Sequence, residues 1–365
     1  MAVPPTTPLE RALARIGTDA SVRRDLVAAL KDWEGRNAVD GEEVRETTTG
    51  PLVDLLHAEA DCVSHEVRFR DRVSRQEHAL TISLLYRSKV GREYALTDAA
   101  PDHVWEPQTT KLLLSMARDA RTALIGGAYA GDHVVAMMAF MAPNGGTCHC
   151  FEPNREQADM LRRNAEANAL TNYRLSSDGL WSTTTKLVMV GSDSHAHPEV
   201  HTGQEGDLFQ GISIDDYCRD NSISSLDIIM LDIEGGEIEA LKGAGGMLAQ
   251  GPETAPEVIF EIHRSYVDWS DGLASTPICS LLLEHGYSLY AIRDYQGNVH
   301  MPDAPVEVVP IETCYLEGPP HGFNIFASKR PDCIERHDLR ICENVSPKLL
   351  KHRDPALHQP LTHRA

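Results

Sequence analysis

The pattern of apolar and polar positions changes period along the chain. From Ala123 an apolar strand-like run ends in Gly126 and Gly127, and Gly131 closes the turn that follows. A helical apolar run extends from Asp132 through Phe140, and a second strand-like run ends in Glu152. This reads as a βαβ unit whose glycine turn lets a ligand approach bare backbone. The helix would aim its first amides at the same place. Glu152 follows Gly131 at about the twenty-residue interval at which such units present an acid to a ribose.

Branched apolar residues from Leu226 to Leu231 predict a buried parallel strand ending in Asp232, Glu234 and Glu237 beside Gly235 and Gly236. The run from Glu257 predicts another, with Glu261 and His263 on one face and opening to the same crevice. Carboxylates at strand ends are costly unless they bind something. Helices are expected at Thr109–Arg118, Glu156–Asn168, Ile238–Lys242 and Pro277–His285. Strands are expected at Tyr173–Leu175, Ser288–Ile292 and Pro319–Ala327, the last two antiparallel.

Before Trp105 the pattern differs. Val22, Leu26, Ala29, Leu30 and Trp33 recur at helical spacing behind a Ser21 cap, residues 35–50 read as a loop, and Val63–Arg70 and Ala79–Tyr86 alternate as an antiparallel pair. The chain thus divides into residues 1–104, an α+β accessory region suited to covering a site or pairing subunits, residues 105–330, an α/β domain, and residues 331–365, a polar, loosely attached tail. His195, His197 and His201 fall in a Gly191–Gly206 linker too loose to promise metal geometry.

The 365 residues, 42% hydrophobic, suffice for one large core and an accessory region, and the formal charge of -20 disfavours nucleic acid and anionic membranes as partners. No apolar run reaches membrane-spanning length. The first residues lack a signal peptide's basic and apolar regions, and the eight cysteines form no Cys-x-x-Cys pair, so a reducing cytoplasm is expected. Cys148-His149-Cys150 sits inside a strand, where alternate side chains face opposite ways, and reads as structural.

The Gly127-to-Gly131 spacing is looser than the Gly-x-Gly-x-x-Gly of dinucleotide sites and suits S-adenosylmethionine better. Phe151-Glu-Pro-Asn, Leu161-Arg-Arg-Asn and, above all, Asp232-Ile-Glu-Gly-Gly-Glu with Leu241, Gly243 and Ala244 resemble the FkbM family of S-adenosylmethionine-dependent methyltransferases over roughly residues 105–328. The resemblance implies a Rossmann-like, class I methyltransferase sheet of seven strands and methylation of a hydroxyl on a sugar or natural product. In the family's first loop Ile125 stands where an acid is usual and Tyr129 where an asparagine is usual, so Asp132 or Glu106 is expected to substitute at the cofactor's amino-acid end.

The expected cofactor residues are Gly127, Ala128, Tyr129, Gly131, Glu152, Pro153, Asp178, Asp232 and Glu106. Asp232 marks the reacting edge, with His263 as base and Glu261 orienting it. In a variant, Asp232, Glu261 and His263 hold magnesium. The acceptor is expected to be a small molecule, and homo-oligomers would form through the N-terminal region. The competing classes are a non-catalytic binding protein on the same fold and an NAD-dependent oxidoreductase.

Overall fold

A computed structural model describes residues 5–37, 44–60, 62–96, 102–190, 197–203, 205–301, 305–317, 322–351 and 353–361. Among the described residues fifteen strands run in chain order: β1 Cys62–Arg70, β2 Glu77–Leu85, β3 Thr122–Gly126, β4 Thr147–Phe151, β5 Tyr173–Ser176, β6 Gly179–Leu180, β7 Thr185–Val190, β8 His197–Val200, β9 Leu208–Ile212, β10 Ile228–Leu231, β11 Glu257–His263, β12 Ser288–Ile292, β13 Val306–Pro310, β14 Gly322–Ser328 and β15 Leu339–Ile341.

The principal sheet orders its strands β15-β13-β12-β14-β11-β10-β3-β4-β5. Its last seven members are the expected class I sheet. Strands β3, β4, β5, β10 and β11 are parallel, and β14 is antiparallel to both β11 and β12. All four residues of β10 are buried, as befits a central parallel strand. The sheet nevertheless has nine strands, because β13 pairs with β12 and β15 pairs with β13.

The segment beyond residue 331 is therefore not a loose tail. It supplies β15 and buries Val345, Ser346, Lys348, Leu349 and His358. Its polar composition hid a fixed anchor. Arg293, fully buried, donates from Nε to the Ser346 carbonyl at 3.0 Å and from Nη2 to those of Leu357 and Gln359 at 2.9 and 3.2 Å. The guanidinium also pairs with buried Glu307.

The helix Val134–Met141 is buried at all eight positions, lying between the sheet and β2. Strand β2, antiparallel to β1 as expected, is also held by the helix Arg155–Ala167 and its C-cap. There the Asn164 and Asn168 amides bond the Ser83 and Thr81 backbone, each accepting from N–H at 2.8 Å and donating back to the carbonyl. One apolar core accordingly runs from Val53 and Phe69 through Phe140 to Ile125 and Met230.

Other departures are local. The helix Ala20–Asn37 is capped by Asp19, which accepts from the N–H groups of Ser21 and Val22 at 2.9 and 3.2 Å, rather than by Ser21. Its Val22, Leu26 and Trp33 face outward. Within the expected 35–50 loop, residues 38–43 lie outside the described set, and Arg45–Thr49 is a π-helix tied to buried Glu34 by the Arg45 ion pair at 2.6 Å. His195, with the rest of 191–196, and residue 204 of that linker also lie outside the described residues. His197 belongs to β8 in a separate four-stranded sheet, β6-β9-β7-β8, whose short strands carry no strong alternation.

Candidate active site

The glycine turn is dictated by space. A Cβ on Gly127 would stand 1.8 Å from the Asp232 carbonyl oxygen, and its φ of +74° suits glycine. The turn then folds onto the end of β4: the N–H groups of Gly127 and Ala128 donate to the Phe151 carbonyl at 3.0 and 3.1 Å. Tyr129, in left-handed backbone at φ 46°, donates its N–H to Glu152 Oε2 at 2.8 Å, and Asn154 N–H reaches Oε1 at 2.8 Å. Burial raises the Glu152 carboxyl to about 7 against these two amides. Gly131, at φ 87°, admits the helix start. Pro153 is half-buried beside Glu152. Asp178 lies past the end of β5, held by the Ser176 hydroxyl at 2.8 Å.

The strand ends β10 and β11 carry the acids. One oxygen each of Asp232, Glu234 and Glu261 falls within 4.8 Å of the others, so these three could hold a cation. Glu234 takes the place expected for His263 in such a set. The Glu261 carboxyl is raised well above its ordinary value by burial and then by the charges of Asp232, Glu106, Glu234 and Glu237. Asp232 is raised too, by the protein around it and by Glu234 and Asp132. Its side chain meets solvent, which softens the first cause, but the second acts in the same direction.

Glu237 plays a different part. Its two oxygens accept the N–H groups of Ile233 and Gly235 at 2.8 and 2.9 Å, holding its own turn, and burial lifts it to about 8. Tyr266 donates to Glu234 at 3.3 Å, and its ring fills the space that a Cβ on Gly235 would need.

Glu106 reaches this edge from the start of the helix Pro107–Ala117. It is buried, sits in left-handed backbone at φ 45°, accepts from Asn324 Nδ2 at 2.7 Å, and lies 3.8 Å from His133 Nε2. Burial and the charges of Asp294 and Asp232 raise it. His133 Nε2 also stands 4.0 Å from Asp132, and its Nδ1 meets the Thr110 hydroxyl at 3.1 Å. Asp294, from the loop after β12, caps that same helix, accepting from the N–H groups of Gln108 and Thr109 at 3.1 and 2.7 Å. Gln296 donates to Glu261 at 3.3 Å.

His263 stands beside Glu261, both pressing on Gly322. Its Nδ1 accepts the Ser265 N–H at 3.1 Å, which assigns the proton of a neutral ring to Nε2.

Left-handed backbone at Glu106, Tyr129 and Glu234, all non-glycine, concentrates strain along this one edge. Asp294, Asn324, Gln296 and Lys348 carried no sequence signal, because no local motif places them there. A groove of about 720 Å³ lies elsewhere, lined by His57, Tyr86, Arg87, Arg155, Asp159 and Arg163 among others, and none of the clustered carboxylates lines it.

Sheet order and glycine turn define a class I methyltransferase fold. The family model described as "Methyltransferase FkbM domain" matches residues 126–289 of this chain. Among solved structures, the methyltransferase FkbM from Methylobacillus flagellatus KT is 16% identical, over 57% of this chain and 44% of that one, with a TM-score of 0.33. This chain therefore spans under half of that protein. The precorrin-6y C5,15-methyltransferase from Geobacter metallireducens GS-15 is 14% identical over 61% and 89%, TM-score 0.33. The O-methyltransferase from Bacillus cereus, in complex with SAH, is 12% identical over 60% and 79%, TM-score 0.32. No curated protein matches the chain.

Proposed function

We propose that the protein transfers the methyl group of S-adenosylmethionine to a hydroxyl of a small molecule, a sugar or a natural product. The observation that carries this reading is the convergence of three strand ends on one edge: the glycine turn after β3, Glu152 after β4 and Asp232 after β10. The residues fit the cofactor. The Gly127–Gly131 turn keeps Gly127 and Tyr129 partly open to solvent, Glu152 is a buried acid whose oxygens each accept one amide N–H and could accept a ribose hydroxyl besides, and Asp178 with Pro153 would flank the adenine. Asp132 or Glu106 would serve the amino-acid end in place of an acid at Ile125, which is itself buried in β3.

When bound, the cofactor supplies an electrophilic methyl carbon on a sulfonium. This chain's residues orient the acceptor and take its proton. A base works best with a pKa near the working pH, and Asp232, raised from the usual carboxylate range, meets that condition. His263 does not: with Nδ1 accepting from Ser265 and Nε2 protonated, it has no lone pair to offer an alcohol. The base expected at His263 thus moves to Asp232, with Glu261 beside it. The Asp232, Glu234 and Glu261 grouping favours a second reading in which magnesium assists by lowering the alcohol's pKa.

Calorimetric titration with S-adenosylhomocysteine, with and without magnesium, tests both. Micromolar binding that weakens about tenfold or more in Glu152→Ala is expected. Absence of binding would leave the non-catalytic reading in its place, and a magnesium-dependent affinity would promote the metal reading.

A further inference from the structure

Lys348 lies outside the family segment, in the part of the chain whose polarity suggested a tail. Its side chain is buried, and its Nζ donates to the Gly322 carbonyl at 2.9 Å. Gly322 is packed against the reacting edge: a Cβ there would stand 2.7 Å from Glu261 Oε1 and 2.6 Å from the His263 ring. The backbone around Lys348 is fixed as well. Asp294 N–H donates to the Pro347 carbonyl at 3.0 Å and Leu349 N–H to the Asp294 carbonyl at 2.8 Å, while the His358 ring holds the Lys348 carbonyl at 3.0 Å. Arg293, paired with Glu307, fixes the Ser346 carbonyl two residues earlier.

The charged groups that act on the ammonium are the carboxylates of Glu106, Glu261 and Asp294 and the cation of Lys89; burial lowers its pKa and the three acids oppose that. A buried lysine is seldom kept without a charge to answer. Here it answers acids drawn from three separate parts of the chain.

We propose that Lys348 is a positioning residue of the transfer site, contributed by the C-terminal segment. Its ammonium offsets the acids at the strand ends, holds them in place, and sets how strongly the site prefers a cationic cofactor to its neutral product. The inference rests on the methyltransferase reading. S-adenosylmethionine carries one more positive charge than S-adenosylhomocysteine, so the ratio of their affinities reads the local charge and cancels damage common to both.

The experiment titrates the full chain with each compound at low salt, as wild type, Lys348→Met, Lys348→Arg, Glu261→Gln and Lys348→Met with Glu261→Gln. Loss of the ammonium should shift the ratio about fivefold toward S-adenosylmethionine. Lys348→Arg and the double variant should return it to near the wild-type ratio. If Lys348→Met fails to fold, comparing Glu261→Gln with the double variant reads the same step. An unchanged ratio, with both affinities moved together or not at all, overturns the proposal and leaves Lys348 a structural prop. Wild-type protein that binds neither compound defeats the methyltransferase reading itself, a separate result.

Discussion

On the β3 and β4 side of the edge, the contacts are short in sequence and made by backbone. Glu152 accepts from Tyr129, 23 positions away, and from Asn154, two positions away. On the β10 and β11 side local backbone bonds to Glu237 and His263 are joined by side chains from distant segments. Asn324 reaches Glu106 across 218 positions, and Asp294 reaches the Gln108 N–H across 186. A backbone ledge is tied to its motif and has little freedom to vary. An acid floor depends on several segments docking together, so its electrostatics can be adjusted from any of them.

The sharpest break in the ledge is Gly127→Ala. With a positive φ and a carbonyl oxygen 1.8 Å from the new Cβ, the turn must move. Binding of S-adenosylhomocysteine should fall about a hundredfold or more, read by calorimetry, with the melting temperature lowered as well. On the floor side, Asp294→Ala uncaps the Pro107–Ala117 helix and should cost about 1–2 kcal/mol in urea unfolding. Affinity should change less there than in the glycine variant, because the ledge is intact.

The smallest expected effect is in pH dependence. Glu237 has a folded pKa of about 8 against an ordinary 4.5, so the folded state holds its proton where the unfolded state releases it. Its contribution therefore falls as pH rises from about 4.5 to about 8, and Glu152, at about 7, adds the same sign. Glu237→Gln should flatten the decline of melting temperature over that window. An unaltered slope would place the linkage elsewhere.

The same division explains what could be read from the chain. Gly127, Gly131, Glu152 and Asp232 stand at the ends of strongly patterned strands, where period and motif speak together. The resemblance of Asp232 through Ala244 to a known family reinforced them. Asp294 and Lys348 were illegible because their neighbours are set by the docking of β12, β13 and the last thirty or so residues, a tertiary event. His263 was correctly placed beside Glu261, but its hydrogen bond to Ser265 depends on a turn that alternation cannot report. The outward stripe of Val22, Leu26 and Trp33 shows the opposite error, helical period without burial.

Strand β15 has a consequence for solubility. It lies along β13, a strand that buries Val306, Val308 and Val309, and it ends the sheet with only three residues, Arg340 and Ile341 being exposed. A short edge bearing a charge gives other chains little to pair with, whereas β13 laid bare would offer a longer apolar template. The segment that brings Lys348 to the acids thus also stands guard against edge-to-edge aggregation.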